Sequence, residues 1–206
     1  MTQIFLIISS VFALITSIFG IYFIFKGEYK PQRMTRTISV IINTIFVLSL
    51  FFGGDKSAIY LAMGGWISSI IIFILAFKYG IGGKSKFDFL VLGLSITSII
   101  IWKITDNPII ALYFSIFAGF FGMIPTVFKS YMQQYTENPI FYASDIIASF
   151  FSCLAVFSLG QSSDLAKISY PLYILIINLL CFILIILGRH KLNKINQISK
   201  IQNNQI

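Results

Sequence analysis

Long uncharged runs separated by short charged loops dominate this chain. Residues 4–25, 37–54, 57–77, 107–128, 146–163 and 168–188 contain no Asp, Glu, Lys or Arg, and each is at least 18 residues long. Crossing about 30 Å of hydrocarbon takes roughly 20 helical residues, so the pattern predicts six membrane-spanning helices. Residues 87–105 have an apolar middle with Asp88 and Lys103 toward the two ends. They form a further span if both charges reach the membrane interfaces.

The placement of the remaining charge decides that question. With seven spans and the N-terminus outside, the cytoplasmic side receives Lys26, Lys30, Arg33, Arg36, Lys78, Lys84, Lys86, Lys129, Arg189, Lys191, Lys194 and Lys200, and the outside keeps Lys56, Lys103 and Lys167. Twelve against three is a clear positive-inside bias. Removing the fourth span inverts everything after it and reduces the split to nine against six. The expectation is therefore an all-α polytopic membrane protein with seven transmembrane helices, N-terminus out and C-terminus in, in the cell membrane.

Composition agrees and narrows the partners. The 206 residues are 57% hydrophobic and 11% charged, with a mean hydropathy of +0.89, whereas about a quarter of a soluble domain is charged. The net charge of +8 is spread through cytoplasmic loops, which assigns it to topology and an anionic inner leaflet rather than to nucleic acid. Met1-Thr2-Gln3 lacks a basic n-region and no small-residue cleavage site follows, so the first run is expected to stay as a helix. Cys153 and Cys181 lie in apolar runs and read as buried free thiols.

The loops carry signs of an internal repeat. The first and fifth helices leave the membrane as Phe25-Lys26 and Phe128-Lys129, and the helices that follow begin near Pro31 and Pro139. FFGGDKSAIY at residues 51–60 then parallels FSLGQSSDLAKISY at 157–170, pairing Gly53 with Gly160, Asp55 with Asp164, Lys56 with Lys167 and Tyr60 with Tyr170. The separations stay between 103 and 111 residues throughout. An odd number of linking spans makes such repeats parallel. The division expected is residues 1–80 for the first three-helix repeat, 81–106 for a linker helix, 107–188 for the second repeat and 189–206 for a basic amphipathic cytoplasmic tail.

The stretch IPTVFKSYMQQYTENPIFY at 124–142 resembles the cytoplasmic loop of the PQ-loop/SWEET superfamily, with a helix-breaking Pro, a basic Lys-Ser turn and a Pro before the next helix. The three-plus-one-plus-three plan is similar to that superfamily too. The resemblance implies a carrier of small polar solutes, sugar-like or vitamin-like, or a non-transporting receptor on the same plan. It also implies a cytoplasmic hinge of prolines, for which Pro125, Pro31 and Pro139 stand in the right places. Pro at a helix's first turn is ordinary, so Pro125, deep in the fifth run, is the sharper hinge candidate.

Polar groups at membrane depth are the binding candidates, since an unpaired amide in hydrocarbon is costly and turns to the bundle interior. Asn178 lies near the middle of the seventh run and Asn43 near the start of the second, while Trp66, Ser68 and Ser69 occupy the matching level of the third. In SWEET-like proteins an Asn in the last helix of each repeat lines the pocket, which again selects Asn178. Asn43, Trp66, Ser69 and Asn178 are the predicted ligand contacts, with helix–helix hydrogen bonding as the plain alternative. Asp145, six residues past Pro139, is expected to pair with Arg36 or Arg33 at the inner mouth, as a gate or as a static ion pair, with a proton-coupling carboxylate as the third reading. Gly64, Gly65, Ala118, Gly119 and Gly122 read as close-packing seams. Leu192, Ile195, Ile198 and Ile201 recur every three residues among basic and amide side chains, as in a helix lying on anionic lipid.

Several activities are disfavoured. The seventh run has no Lys for retinal, the single histidine, His190, cannot form a bis-His haem site, and no zinc-protease, redox-dithiol or phosphate-loop motif occurs. Neither enzyme chemistry nor a cofactor or metal is expected. Facilitated rather than ion-driven transport follows from the lack of a carboxylate at the midplane, and homo-oligomerisation is left open.

Overall fold

The computed structural model describes residues 1–54, 57–82, 86–160 and 165–203. Seven helices follow in order: α1 (Thr2–Phe25), α2 (Arg33–Phe52), α3 (Ala58–Tyr79), α4 (Lys86–Thr105), α5 (Pro108–Met132), α6 (Pro139–Ser158) and α7 (Leu165–Asn203), with one 3₁₀ turn at Gln134–Thr136. Six of them are long and apolar enough to cross a membrane, matching the six uncharged runs. The apolar part of α4 is shorter, Phe89–Thr105. The chain is therefore a multi-pass membrane protein by the length and composition of its helices.

Capping explains where the second-half helices start. Asn107 and Asn138 each precede a proline at the first helical position, and their side chains accept hydrogen bonds from Ile109 N (2.9 Å) and Ile140 N (3.0 Å). Because Asn138 sets the start of α6, that helix begins seven residues before the uncharged run and carries Asp145 inside it. The helix-ending signal at α1 is Gly27, whose φ of 76° belongs to the left-handed region. It lets Glu28 N and Tyr29 N both turn back to Phe23 O at 3.0 Å. Gly188 ends nothing: α7 runs on through it to Asn203, so the tail continues the last helix. The side chains of 193–206 lie outside the described residues, as do Asp55, Lys56 and Asp164 of the proposed repeat pairing.

The packing order is regular. α1 packs on α3, α3 on α2, α5 on α7 and α7 on α6, while α1 also lies along α6 and α2 along α5. Exchanging α1, α2 and α3 for α5, α6 and α7 turns each of these contacts into another of the same set. α4 packs on α5 and α2, and Trp102 near its end lies 5.9 Å ring to ring from Phe52 at the end of α2.

The bundle is apolar on the outside and dotted with small hydroxyls within. Along α1, Ile4, Ile7, Val11, Leu14 and Ile18 are exposed, whereas Ser9, Thr16 and Ser17 are buried. That distribution suits lipid, where small side chains let helices approach closely. Gly64 shows the close approach: a methyl group there would overlap Ala13 Cβ of α1.

Candidate functional site

A cavity of about 100 Å³ lies between the helices and is lined from α1, α2, α3, α5, α6 and α7. Helical spacing puts Arg36, Ser39, Asn43 and Phe46 of α2 on one wall, Gly65, Ser68 and Ser69 of α3 on the next, and Tyr170, Tyr173, Ile177 and Asn178 of α7 opposite. α5 contributes Gly119 and Gly122, and α6 contributes Phe141, Tyr142 and Asp145. Three of the four predicted ligand contacts, Asn43, Ser69 and Asn178, thus meet at one cavity together with both residues of the predicted gate.

Trp66 is the exception. The cavity face of α3 follows residues 61, 65, 68 and 69, and Trp66 is rotated off it by one residue, or about 100°. Its indole N–H donates to Thr44 Oγ1 at 2.9 Å, tying α3 to α2 instead of facing a ligand. Tyr22, Tyr60 and Tyr113 are exposed on the outer surface, and Tyr142, Tyr170 and Tyr173 wall the cavity.

The ion pair expected between Asp145 and Arg36 is not made. The described ion pairs are Lys26–Glu28 and Lys129–Glu137, each at 2.6 Å. Arg36 donates to the Tyr29 hydroxyl and lies over the rings of Tyr29 and Phe141, at 5.6 and 5.8 Å from their centroids. Aromatic faces and a phenol oxygen have taken the place of the carboxylate, as suits a flat, weakly hydrated guanidinium. Burial raises the Tyr29 phenol above its usual range, so it stays neutral beside Arg36. Thr16 of α1 donates to Ser144 Oγ, next to Asp145, at 2.8 Å.

Below the cavity, at the end of the bundle that holds residues 26–32 and 133–138, sits a polar latch that sequence reasoning missed. Glu137, 1% exposed, takes Lys129 Nζ on one carboxylate oxygen and the Tyr142 hydroxyl on the other at 2.6 Å. Arg189 of α7 donates to the Glu137 carbonyl at 2.9 Å. Lys129 also donates to the Lys30 carbonyl, Lys30 N donates to Thr136 O at 3.0 Å, and Asn138 Nδ2 donates to Glu28 Oε2 at 3.1 Å. The two loops at this end, residues 26–32 and 133–138, are thereby fastened to each other.

The prolines divide by position. Pro125 lies inside α5, where it removes the N–H that would bond the Phe121 carbonyl. Pro139 is the first residue of α6, and Pro31 stands two residues before α2, which corrects its placement as a helix start. Its carbonyl accepts from Ile81 N at 2.9 Å, so Pro31 and Gln32 lie against the segment just past α3 before α2 begins. Pro171, inside α7 and buried, was not singled out from the sequence.

Among the described residues no group of three His, Cys, Asp or Glu side chains comes together to hold a metal ion, and Cys153 and Cys181 are buried free thiols. Compared with models of known protein families, with curated proteins and with solved structures, the chain matches none of them.

Proposed function

We propose that this protein is a carrier of a small polar solute, working by alternating access across the cell membrane. The observation that carries the reading is the cavity shared by α2, α3, α6 and α7, where Asn43, Ser69 and Asn178 converge in an otherwise apolar bundle. The exchange symmetry of the helix contacts supports two three-helix repeats, residues 1–80 and 107–188, joined by α4 as a seventh span. The run of α4 from Lys86 to Trp102 beside Phe52 supports its crossing.

On this reading the positive-inside bias puts the latch on the cytoplasmic side, so the conformation is closed inward. At about 100 Å³ the cavity is smaller than the ~300–1,000 Å³ of a typical ligand site, so admitting a solute would require it to widen. Rocking of one repeat against the other would part the two loops, with Pro125 as the flexible point in α5. A non-transporting receptor is the second reading, favoured by the same small, fastened cavity.

Reconstitution tests both. Proteoliposomes holding the full chain should pass a small polar solute, and Asn178→Leu should abolish that flux while the protein still folds. Flux that ignores Asn178→Leu would overturn the carrier reading, and solute binding without any flux would select the receptor.

A further inference from the structure

The cavity wall carries amides, hydroxyls and two opposite charges. Asn178 Nδ2 is spent on Ile174 O at 2.9 Å, Asn43 Nδ2 on Gly65 O at 3.4 Å, and the Ser69 hydroxyl on Trp66 O at 2.8 Å. Each amide therefore keeps its oxygen and a second N–H, and the Ser69 oxygen keeps its lone pairs. Asp145 adds a carboxylate on α6. Against these acceptors stands Arg36, whose Nε is buried without any hydrogen-bond partner although its terminal nitrogen is bonded to Tyr29. The two charges line one cavity without being within ion-pair distance of each other.

A buried donor left unpaired is costly, and two opposite charges sharing a cavity without touching leave room for a third party between them. We infer that the cavity takes a small zwitterion, its anionic group received by Arg36 and its ammonium by Asp145 with the amide oxygens of Asn43 and Asn178. One small molecule carrying both an anionic group and an ammonium answers the two charges of the wall at once, which a sugar's hydroxyls or a plain anion would not. The inference rests on the carrier reading for its transport step and stands apart from it for binding.

Four solutes of similar size and different charge make the test: alanine, propionate, isopropylamine and glycerol. Binding to the purified full chain is read by thermal stabilisation and flux by uptake into proteoliposomes. Alanine should bind and cross at least tenfold better than the other three. Arg36→Gln should lose that preference over isopropylamine, and Asp145→Asn should lose it over propionate, each with the unliganded melting temperature recorded to show a folded protein. Glycerol crossing as well as alanine in the unaltered protein overturns the zwitterion and leaves the carrier standing. Alanine bound but not moved keeps the zwitterion site and overturns the carrier. No response to alanine in either assay overturns the zwitterion.

Discussion

Glu137 concentrates more of the latch than any other side chain. Its carboxylate is buried against Lys129 and Tyr142, and its carbonyl receives Arg189, so three elements depend on one residue. Removing one partner of a buried pair leaves the other charge uncompensated, at ~3–5 kcal/mol, whereas replacing both with apolar groups often costs little. Glu137→Gln and Lys129→Met should each lower the melting temperature sharply, and Lys129→Met with Glu137→Leu should recover much of the loss. Additive losses would mean that the pair contributes nothing as a pair. Tyr142→Phe removes one hydrogen bond to a carboxylate and should cost about 1.5–3 kcal/mol by the same melting measurement. At this scale the sequence exposed Asn43, Ser69 and Asn178, because a polar side chain in an apolar run has few places to go. Glu137 was hidden because it sits in a loop, where charge is ordinarily solvated; here Lys129 of α5, Tyr142 of α6 and Arg189 of α7 close around it. Trp66 was misjudged because its depth could be counted along the helix, but its direction depends on which neighbour the helix turns toward.

Elements show why their ends were harder to read than their existence. Hydropathy located all six long helices, but Asp145 interrupts the uncharged run of α6 while Asn138 and Pro139 set its true start. Gly188 seemed to divide span from tail, yet the 39 residues of α7 continue past it, since nothing in the sequence there demands a left-handed turn. Close approach between α1 and α3 depends on Gly64 lying against Ala13, which a flexible side chain cannot relieve. Gly64→Val should force the two helices apart, with an overpacking cost of ~1–3 kcal/mol read as a fall in melting temperature. Ala13→Gly with Gly64→Ala should be milder, because the methyl group then moves to the facing helix. An unaltered melting temperature in Gly64→Val would mean that α1 and α3 do not pack through this pair.

The whole molecule joins a cavity to a closed end, and the joint is where the carrier reading is most exposed. Lys30 N and Thr136 O are hydrogen-bonded at 3.0 Å, tying the loop between α1 and α2 to the loop between α5 and α6. If alternating access opens this end, those loops must separate in every cycle. A backbone hydrogen bond brings the two residues close to the ~4.4–6.8 Å between Cα atoms that a disulfide needs. Lys30→Cys with Thr136→Cys should therefore form a bridge under mild oxidant, and the native thiols, both buried, leave the introduced pair as the accessible site. Oxidised protein should lose solute flux in proteoliposomes and regain it on reduction, with either single variant insensitive to oxidant. Binding should survive the bridge, since the cavity lies above the latch and its lining includes neither residue. Full flux through fully bridged protein would show that the repeats do not part here, and the solute would have to leave by a route that keeps the two loops together.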